Sequence, residues 1–263
     1  MCRWAAYIGE PVHLSEVISH PEHSLIDQSL HATQSVTPTN ADGVGLAWYG
    51  ARPTPGVFRD ILPAWSDRNL KSVAEHVSSG LFLGHIRASS GAPTSRENCH
   101  PFTADNWSFV HNGEVGGFSD FRRHANALIP DDLYHHREGT TDSEAMFLIA
   151  LHEGLADDPK TALERAAGQL EAMSRAHGSA PHLHMSVAFS CGHRLYVARY
   201  SSDDVVPTVY HRWSEDTKGR SVVSEPLNLK SGWEEIPANS FCTFDGQNME
   251  VEAFRPSQES RHS

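Results

Sequence analysis

The sequence predicts an α+β fold in which layered antiparallel sheets are covered by helices. From residue 183 onward, apolar residues recur with a period of two through short segments bounded by turn formers, which is typical of antiparallel strands. Segments with helical spacing are grouped between the strands, which favours separate helix layers. The chain has no repeat and no linker. We therefore expect one domain over residues 1–255, followed by a polar, frayed tail over residues 256–263.

Short strands alternate with loops in the first 140 residues. Apolar runs bounded by turn formers predict strands over 2–8, 44–49, 81–86 and 107–110. Helical spacing predicts one helical turn over 14–18 and a helix over 70–77, for which Gly80 is a natural stop. Polar or proline-rich composition predicts loops over 25–39, 52–63, 88–106 and 114–140.

The remainder of the chain predicts two helices and a series of strands. The segment 141–144 (Thr-Asp-Ser-Glu) is a capping box, in which the Thr hydroxyl and the Glu carboxylate serve free amides at a helix start. That helix closes at Gly154, and Pro159 opens the next helix, which ends near Gly178. The predicted strands are 183–190, 194–200, 208–211, 221–224, 241–244 and 249–253, with hairpin turns at 191–193 and 245–246.

Composition excludes several classes of protein. The formal net charge of -12 argues against nucleic-acid or anionic-membrane partners, since both favour basic surfaces. No run of 18 apolar residues predicts a membrane span, and no basic region followed by an apolar core predicts a secretory signal. The 4 cysteines are far apart and form no CxxC pair, which suits a reducing cytoplasm.

Histidine is unusually frequent, with 18 residues. The pairs His135-His136 and His182-x-His184 invite a metal-dependent hydrolase as an alternative. However, the start of an HExxH motif at His152 is broken by Gly154. Dispersed histidines are more often surface residues than ligands. We therefore expect no metal site and no other cofactor.

Cys2 is the first candidate for chemistry. It is small enough for Met1 to be removed, which would leave a thiol and a free α-amine on one residue. The thiolate is the nucleophilic form, and the amine, whose pKa is near ~7.7–8.0, can accept the proton of the thiol. Nucleophile and base would then need no distant histidine. By itself, however, a cysteine at position 2 is usually incidental.

Arg87, Asn112-Gly113 and Asp142 also stand at the ends of predicted elements. A guanidinium after a buried strand can grip a carboxylate through two parallel hydrogen bonds, or it can be a surface group on a loop. The Asn-Gly pair offers a side-chain amide and an unhindered N–H to an oxyanion, or it is a plain hairpin turn. Asp142 can bind an ammonium group, and it also suits the positive end of a helix.

These residues lie in motifs that resemble the class II glutamine amidotransferases, a family of N-terminal-nucleophile hydrolases. Each motif is weak by itself, but six in this order are specific, and the resemblance spans nearly the whole chain. The six are Met1 to Arg3, Asn40 to Gly45, Gly84 to Ala88, Asn98 to Phe102, His111 to Gly113 and Thr141 to Glu144. Two further similar segments are Val222 to Pro226 and Trp233 to Pro237.

The resemblance implies a fold and a nucleophile. The fold is a four-layer αββα sandwich, with two antiparallel sheets between helix layers. Cys2 would attack once Met1 is removed, with its own amine as the base. Water would then hydrolyse the glutamyl thioester and release glutamate.

The resemblance also implies a substrate site. Arg87 would hold the α-carboxylate of a glutamyl substrate, and Asp142 would hold its α-ammonium group. Asn112 and Gly113 would form the oxyanion hole, and His111, in the same motif, is expected to contact the substrate. These roles agree with the chemistry of the residues, because a γ-glutamyl group needs an anion clamp and a cation clamp with a nucleophile between them.

The chain departs from the larger members of the family. It ends soon after the glutaminase-like region, so we expect no acceptor chemistry of its own. The segment 88–91 (Ala-Ser-Ser-Gly) lacks the Trp and Thr-His of the sugar-synthase branch. Single-domain members resemble it best, including a branch that cleaves γ-glutamyl-hercynylcysteine sulfoxide in ergothioneine synthesis. The segments Gln28-Ser29 and Trp65 to Asp67 are similar to that branch.

The expected activity is therefore hydrolysis of a γ-glutamyl amide, either glutamine or a γ-glutamyl conjugate. Three alternatives stay open. The first is the ergothioneine role. The second is a glutaminase or glutamine-binding subunit that serves a separate synthase, and the third is a metal-dependent hydrolase. We expect a small-molecule substrate, and a homo-oligomer is an open alternative.

Overall fold

The computed structural model describes residues 2–33, 39–89, 92–229 and 231–261. Met1, whose removal was predicted, lies outside these ranges, as do parts of the predicted loops and the last two residues of the tail. The strands are β1 (Arg3–His13), β2 (Val44–Trp48), β3 (Gly56–Asp60), β4 (Ser78–Ile86), β5 (Phe102–Ala104), β6 (Trp107–Glu114), β7 (His184–Ser190), β8 (Leu195–Ser201), β9 (Tyr210–Ser214), β10 (Gly219–Val223), β11 (Glu234–Glu235), β12 (Ser240–Asp245) and β13 (Asn248–Ala253). The helices are α1 (Ser15–Ile18), α2 (Leu25–His31), α3 (Arg68–His76), α4 (Phe118–Asn126), α5 (Asp131–Tyr134), α6 (Asp142–His152) and α7 (Pro159–His177).

The strands form two antiparallel sheets. Within the described ranges, one sheet has 7 strands in the order β11-β9-β10-β1-β4-β2-β3, and the other has 6 in the order β13-β12-β8-β7-β6-β5. Neighbouring strands are antiparallel throughout both sheets. The predicted hairpins join β7 to β8 and β12 to β13.

Apolar cores separate four layers in the described part of the chain. Between the sheets lie side chains that include Trp4, Leu83, Val110 and Val197. A second core packs the six-stranded sheet against α4, α6 and α7, and a third packs the seven-stranded sheet against α1, α2 and α3. The predicted α+β sandwich of two antiparallel sheets between helix layers is confirmed.

β1 is an interior strand whose two faces are both buried. Trp4, Ala6 and Ile8 face the other sheet, whereas Ala5 and Tyr7 face the helices of the third core. A strand buried on both faces has a continuous apolar sequence. This is why the segment 2–8 could be predicted, and it fixes the start of the chain in the middle of the sheet.

Two predicted loops, 25–39 and 52–63, contain regular elements, and these predictions were wrong in part. Helix α2 begins after Ser24, whose side chain accepts a hydrogen bond from Asp27 N at 3.2 Å, and it buries Leu25. Strand β3 pairs with β2 at the edge of the sheet, and the prolines of that segment lie outside the strand. Both elements depend on tertiary contacts that local composition does not indicate.

The predicted helix stop and the polar stretch 114–140 also need correction. Gly80 lies inside β4, and the preceding helix ends at His76. Helices α4 and α5 occupy much of the polar stretch. α4 buries only Phe121 and Ala125, so its exposed polar residues conceal its helical pattern. Short strands β5 and β11 were also missed.

The tail is ordered over its described residues rather than frayed. Ser257 N donates to Glu164 O at 3.0 Å. The buried Glu153 carboxylate accepts from Arg261 N at 2.7 Å and from Ser260 Oγ at 2.9 Å. The tail therefore contacts the C-terminal end of α6 and the N-terminal half of α7, and its polar groups bind carboxylate and carbonyl oxygens.

We predict that removal of residues 256–263 lowers the free energy of unfolding by about 1–3 kcal/mol, because hydrogen bonds to carboxylates are replaced by bonds to water. Urea unfolding followed by circular dichroism measures the change. Removal of residues 262–263 alone is the control. An unchanged unfolding midpoint after the longer truncation would show that these contacts do not stabilise the fold.

Candidate active site

A cavity of about 420 Å³ is lined by the end of β4, the end of β6 and the starts of α4 and α6. Of the six predicted site residues, five line this cavity: Cys2, Arg87, His111, Gly113 and Asp142. Asn112 is buried beside the cavity and is not among its lining residues. Side chains separated by up to 140 positions in the sequence thus share one site.

Cys2 lies opposite the residues that follow β4. The ladder between β1 and β4 begins with Arg3 opposite Ile86, and the same register continued by one residue puts Cys2 opposite Arg87. The Cys2 Sγ atom accepts from Ala88 N at 3.4 Å and donates to Ala88 O at 3.5 Å. Burial raises the pKa of the Cys2 thiol, although the Ala88 N–H and the Arg87 charge act to lower it. The thiol is therefore protonated at neutral pH, and attack by its sulfur requires a base.

Arg87 is a buried cation held by neutral groups. Its side chain donates to Ala92 O at 3.1 Å, Ser89 Oγ at 3.2 Å and Asp42 O at 3.4 Å. Arg87 is only 3% exposed, which excludes the alternative of a surface arginine. In the described part of the chain, each hydrogen-bond acceptor of this guanidinium is uncharged. Because a buried charge is costly without a counter-charge, the cavity favours an anion at this place.

Asp142 begins α6 and connects it to β6. Its Oδ2 accepts from Val115 N at 2.7 Å, and its Oδ1 accepts from Ser143 N at 2.7 Å. These bonds agree with the alternative interpretation, in which Asp142 places a negative charge at the start of a helix. Asp142 also lines the cavity. An ionised carboxylate offers roughly four acceptor sites, so it retains capacity for a further donor.

His111 is a neutral group on the cavity wall. Its Nε2 lies 3.3 Å from His184 O and its Nδ1 lies 2.8 Å from Ser143 Oγ. A carbonyl can only accept, so Nε2 carries the hydrogen of the neutral ring and Nδ1 is an acceptor. Nδ1 and Asp142 Oδ1, which lies 3.2 Å from Ser143 Oγ, share the hydroxyl hydrogen of Ser143. Burial lowers the pKa of His111, which favours this neutral form, although the Asp142 charge acts to raise it.

Asn112 and Gly113 lie within β6 and do not form the hairpin turn that was the alternative. They pair with Ser186 and Met185 of β7. A Cβ atom at Gly113 would lie 1.9 Å from His184 O, so only glycine fits there. Asn112 is 2% exposed, and its Oδ1 has no hydrogen-bond partner among the described residues. A buried acceptor oxygen without a partner beside a cavity needs a functional or structural explanation.

Two further buried histidines adjoin the site, and sequence reasoning gave neither of them a role. The rings of His85 and His100 stack with centroids 4.0 Å apart, and His85 Nε2 donates to His111 O at 3.1 Å. Burial lowers the pKa of His85 to about 3 and that of His100 well below its usual value. A histidine inside the apolar run 81–86 was the available signal for His85.

The predicted capping box at 141–144 is only half present. Thr141 Oγ1 accepts from Glu144 N at 3.2 Å, as predicted. The Glu144 carboxylate, however, binds Arg137 at 2.6 Å and the Gly139 N–H at 2.9 Å, rather than the start of its own helix. The loop that precedes α6 is thereby fixed against the helix.

Other lining residues could not be predicted, since their elements were not. Phe118, Ser119 and Arg122 reach the cavity from α4, which occupies a predicted loop. Across the described ranges, no group of three or more His, Cys, Asp or Glu side chains could hold a metal ion. Nor does any helix in those ranges have the length and apolar character needed to cross a membrane.

Comparisons with known proteins identify the family of the chain. The sequence model of the family "Glutamine amidotransferases class-II" matches residues 18–262. A probable glutamine amidotransferase of Saccharomyces cerevisiae, DUG3, is 30% identical over 95% of this chain and 83% of its own length. The γ-glutamyl-hercynylcysteine sulfoxide hydrolase of Mycolicibacterium smegmatis is 26% identical over 90% of this chain and 92% of its own.

A solved structure is also similar over nearly the whole molecule. It is a glutamine aminotransferase class-II domain protein from Silicibacter pomeroyi, with 45% identity and a TM-score of 0.79. The similarity covers 97% of this chain and 100% of that one. Fold, family match and relatives all agree, and the chain belongs to the class II glutamine amidotransferases, a family of enzymes.

Proposed function

We propose that this enzyme hydrolyses γ-glutamyl amides, with Cys2 as the nucleophile. The observation that carries the proposal is the shared cavity, where a thiol, a carboxylate and a buried guanidinium face the same space. Among the described residues, this guanidinium bonds only to uncharged acceptors. The head group of a glutamyl substrate carries one anion and one cation. Arg87 would bind the α-carboxylate through parallel hydrogen bonds, and Asp142 would bind the α-ammonium group.

The proposed reaction has two steps through a thioester. Removal of Met1 frees the α-amine of Cys2, which takes the thiol proton while the sulfur attacks the γ-carbonyl carbon. The C–N bond of the amide then breaks, and the proton passes to the departing amine. Water adds to the thioester, the C–S bond breaks, and glutamate and the Cys2 thiol are released. The raised pKa of the thiol makes an adjacent base necessary.

Negative charge on the γ-carbonyl oxygen needs donors near Cys2. We propose that Gly113 N–H and the Nδ2–H group of the Asn112 side chain supply them. The uncharged His111 ring would contact the substrate, in an orientation that its hydrogen bond with Ser143 fixes.

The group on the γ-nitrogen distinguishes the candidate substrates. The Mycolicibacterium relative is named for a bulky γ-glutamyl conjugate, and the yeast relative is named as a probable amidotransferase. We propose the γ-glutamyl amide class as a whole, with glutamine and γ-glutamyl conjugates compared directly. Release of ammonia from glutamine would also fit a separate synthase subunit as partner.

Covalent labelling tests the proposal. Protein without Met1 is incubated with a glutamine-like diazoketone, and the adduct is mapped by mass spectrometry in wild type, Cys2→Ala and Arg87→Ala. We expect an adduct on Cys2 that depends on Arg87 and is insensitive to chelator. Binding of glutamine without adduct or turnover would instead favour a non-catalytic module, and loss of turnover with chelator would favour a metal-dependent hydrolase.

We predict that Arg87→Lys raises KM for a γ-glutamyl amide by ~10–100-fold with a smaller effect on kcat, because an ammonium group cannot grip a carboxylate through two parallel bonds. Steady-state kinetics measure this. Arg96→Lys, at an exposed arginine paired with Asp60, is the control. A loss of kcat at unchanged KM would contradict the clamp.

We predict that Asn112→Ala lowers kcat by ~10²–10³-fold while KM changes little, because oxyanion donors act mainly in the transition state. Asn106→Ala, at a half-buried amide that bonds to Cys191 O, is the matched control. A defect confined to KM would assign Asn112 to substrate binding instead.

A further inference from the structure

The first residues of β1, which directly follow Cys2, are held by side chains as well as by the strand ladder. The ladder between β1 and β10 ends with Ala5 opposite Val223. Beyond it, Ser224 N donates to Trp4 O at 3.0 Å, and Trp4 N donates to Ser224 Oγ at 3.0 Å. The segment that follows β10 thus continues to hold β1 where the strand pairing ends.

An ion pair extends this arrangement to Cys2. Arg3 Nε lies 2.8 Å from Glu225 Oε2, and both side chains are 1% exposed. The Nη1 atom of the same guanidinium donates a hydrogen bond to Cys2 O at 2.9 Å. Glu225 therefore fixes the guanidinium, and the guanidinium fixes the carbonyl group of Cys2.

Glu225 itself is held from several directions. Its Oε1 accepts from Thr33 N at 2.9 Å, and His23 Nε2 lies 2.6 Å away. Burial acts to raise the pKa of Glu225, but hydrogen bonds from Thr33 and His23 and the Arg3 charge together lower it to about 2. The carboxylate is therefore ionised at any pH at which an enzyme would work.

We infer that Arg3 and Glu225 are positioning residues, which hold the backbone of Cys2 so that its sulfur lies against the Ala88 N–H. The inference rests on the proposed function for the role of Cys2. Neither residue lines the cavity, so neither contacts substrate. The sulfur and the α-amine are both attached to the Cys2 Cα, so fixing the adjacent carbonyl group and the paired Arg3 backbone restricts both groups together.

This role differs from simple stabilisation by a buried ion pair. Replacement of such a pair by uncharged groups is often neutral for stability, whereas removal of one partner is costly. The double variant Arg3→Met/Glu225→Gln removes both charges and retains an acceptor oxygen for Thr33 and His23. It also removes the hydrogen-bond donor to Cys2 O, because the methionine side chain has no N–H group. A structural role predicts recovery of kcat in this double variant, and a positioning role predicts that kcat stays low.

The variants are Arg3→Lys, Glu225→Gln and the double variant. The matched controls are Arg199→Lys and Glu235→Gln. Arg199 is 7% exposed, donates to two backbone carbonyl groups and pairs with Glu235 at 2.8 Å, and it lies outside the cavity. Thermal unfolding of each variant reports its fold.

Two readouts are needed. Steady-state kinetics give kcat and KM, and mass spectrometry gives the rate of Cys2 alkylation by iodoacetamide across pH. Cys191, which is half-buried in the turn after β7, is the internal reference thiol. Cys2→Ala is included to test the proposed function separately, because full turnover without Cys2 would refute that function. The positioning role would then still be decided by the alkylation of Cys2 in the other proteins.

We expect Glu225→Gln and the double variant to lower kcat by ~10–100-fold at nearly unchanged KM, since small displacements of reacting groups cost rates of this order. The Cys2 alkylation profile should move to higher pH as the Ala88 contact is lost, while that of Cys191 stays unchanged. The kcat of Arg3→Lys should lie between that of wild type and that of Glu225→Gln. An unchanged Cys2 profile, recovery of kcat in the double variant, or an equal loss in the Arg199 and Glu235 controls would overturn the inference.

Discussion

The position of Cys2 depends on the confinement of β1, which is hydrogen-bonded along both edges and buried on both faces. A strand in this position cannot shift by one residue without moving each side chain to the opposite face. Because β4 is its neighbour, the residue after Ile86 is necessarily close to the start of the chain. Cys2 and Arg87, the proposed nucleophile and the proposed anion clamp, are adjacent because β1 and β4 are adjacent, and no flexible loop has to bring them together.

The electrostatics of the cavity follow from burial. Arg87 keeps its charge, whereas the neighbouring His85, His100 and His111 have pKa values lowered by desolvation. Additional protons on these rings would place further cations in a region that already holds one buried guanidinium. With these histidines neutral, the buried Arg87 guanidinium and the Asp142 carboxylate face the cavity as opposite charges, which suits the proposed zwitterionic head group.

The sequence was sufficient for the elements that carry their own local signal. The apolar run before Arg87, the polar start of α6 at 141–144 and the alternation after residue 183 all predicted elements that the structure contains. Helices α2 and α4 were missed, since each buries few apolar residues and depends on packing against the rest of the fold. The partnership of Arg3 with Glu225 joins residues 222 positions apart, and no local pattern indicates such a contact.

The two sheets contribute different halves of the proposed site, so their relative position is part of its geometry. The seven-stranded sheet holds Cys2 and Arg87, whereas β6 and the start of α6 hold Gly113 and Asp142. Polar contacts join the halves beside the cavity. The indole of Trp4 donates to Ser186 Oγ at 3.1 Å, Ser186 Oγ donates to Asn112 O at 3.3 Å, and the neutral His85 ring donates to His111 O. The directional hydrogen bonds at this edge fix the position of one sheet relative to the other. Apolar packing alone would let the sheets slide, because hydrophobic contact has no preferred orientation.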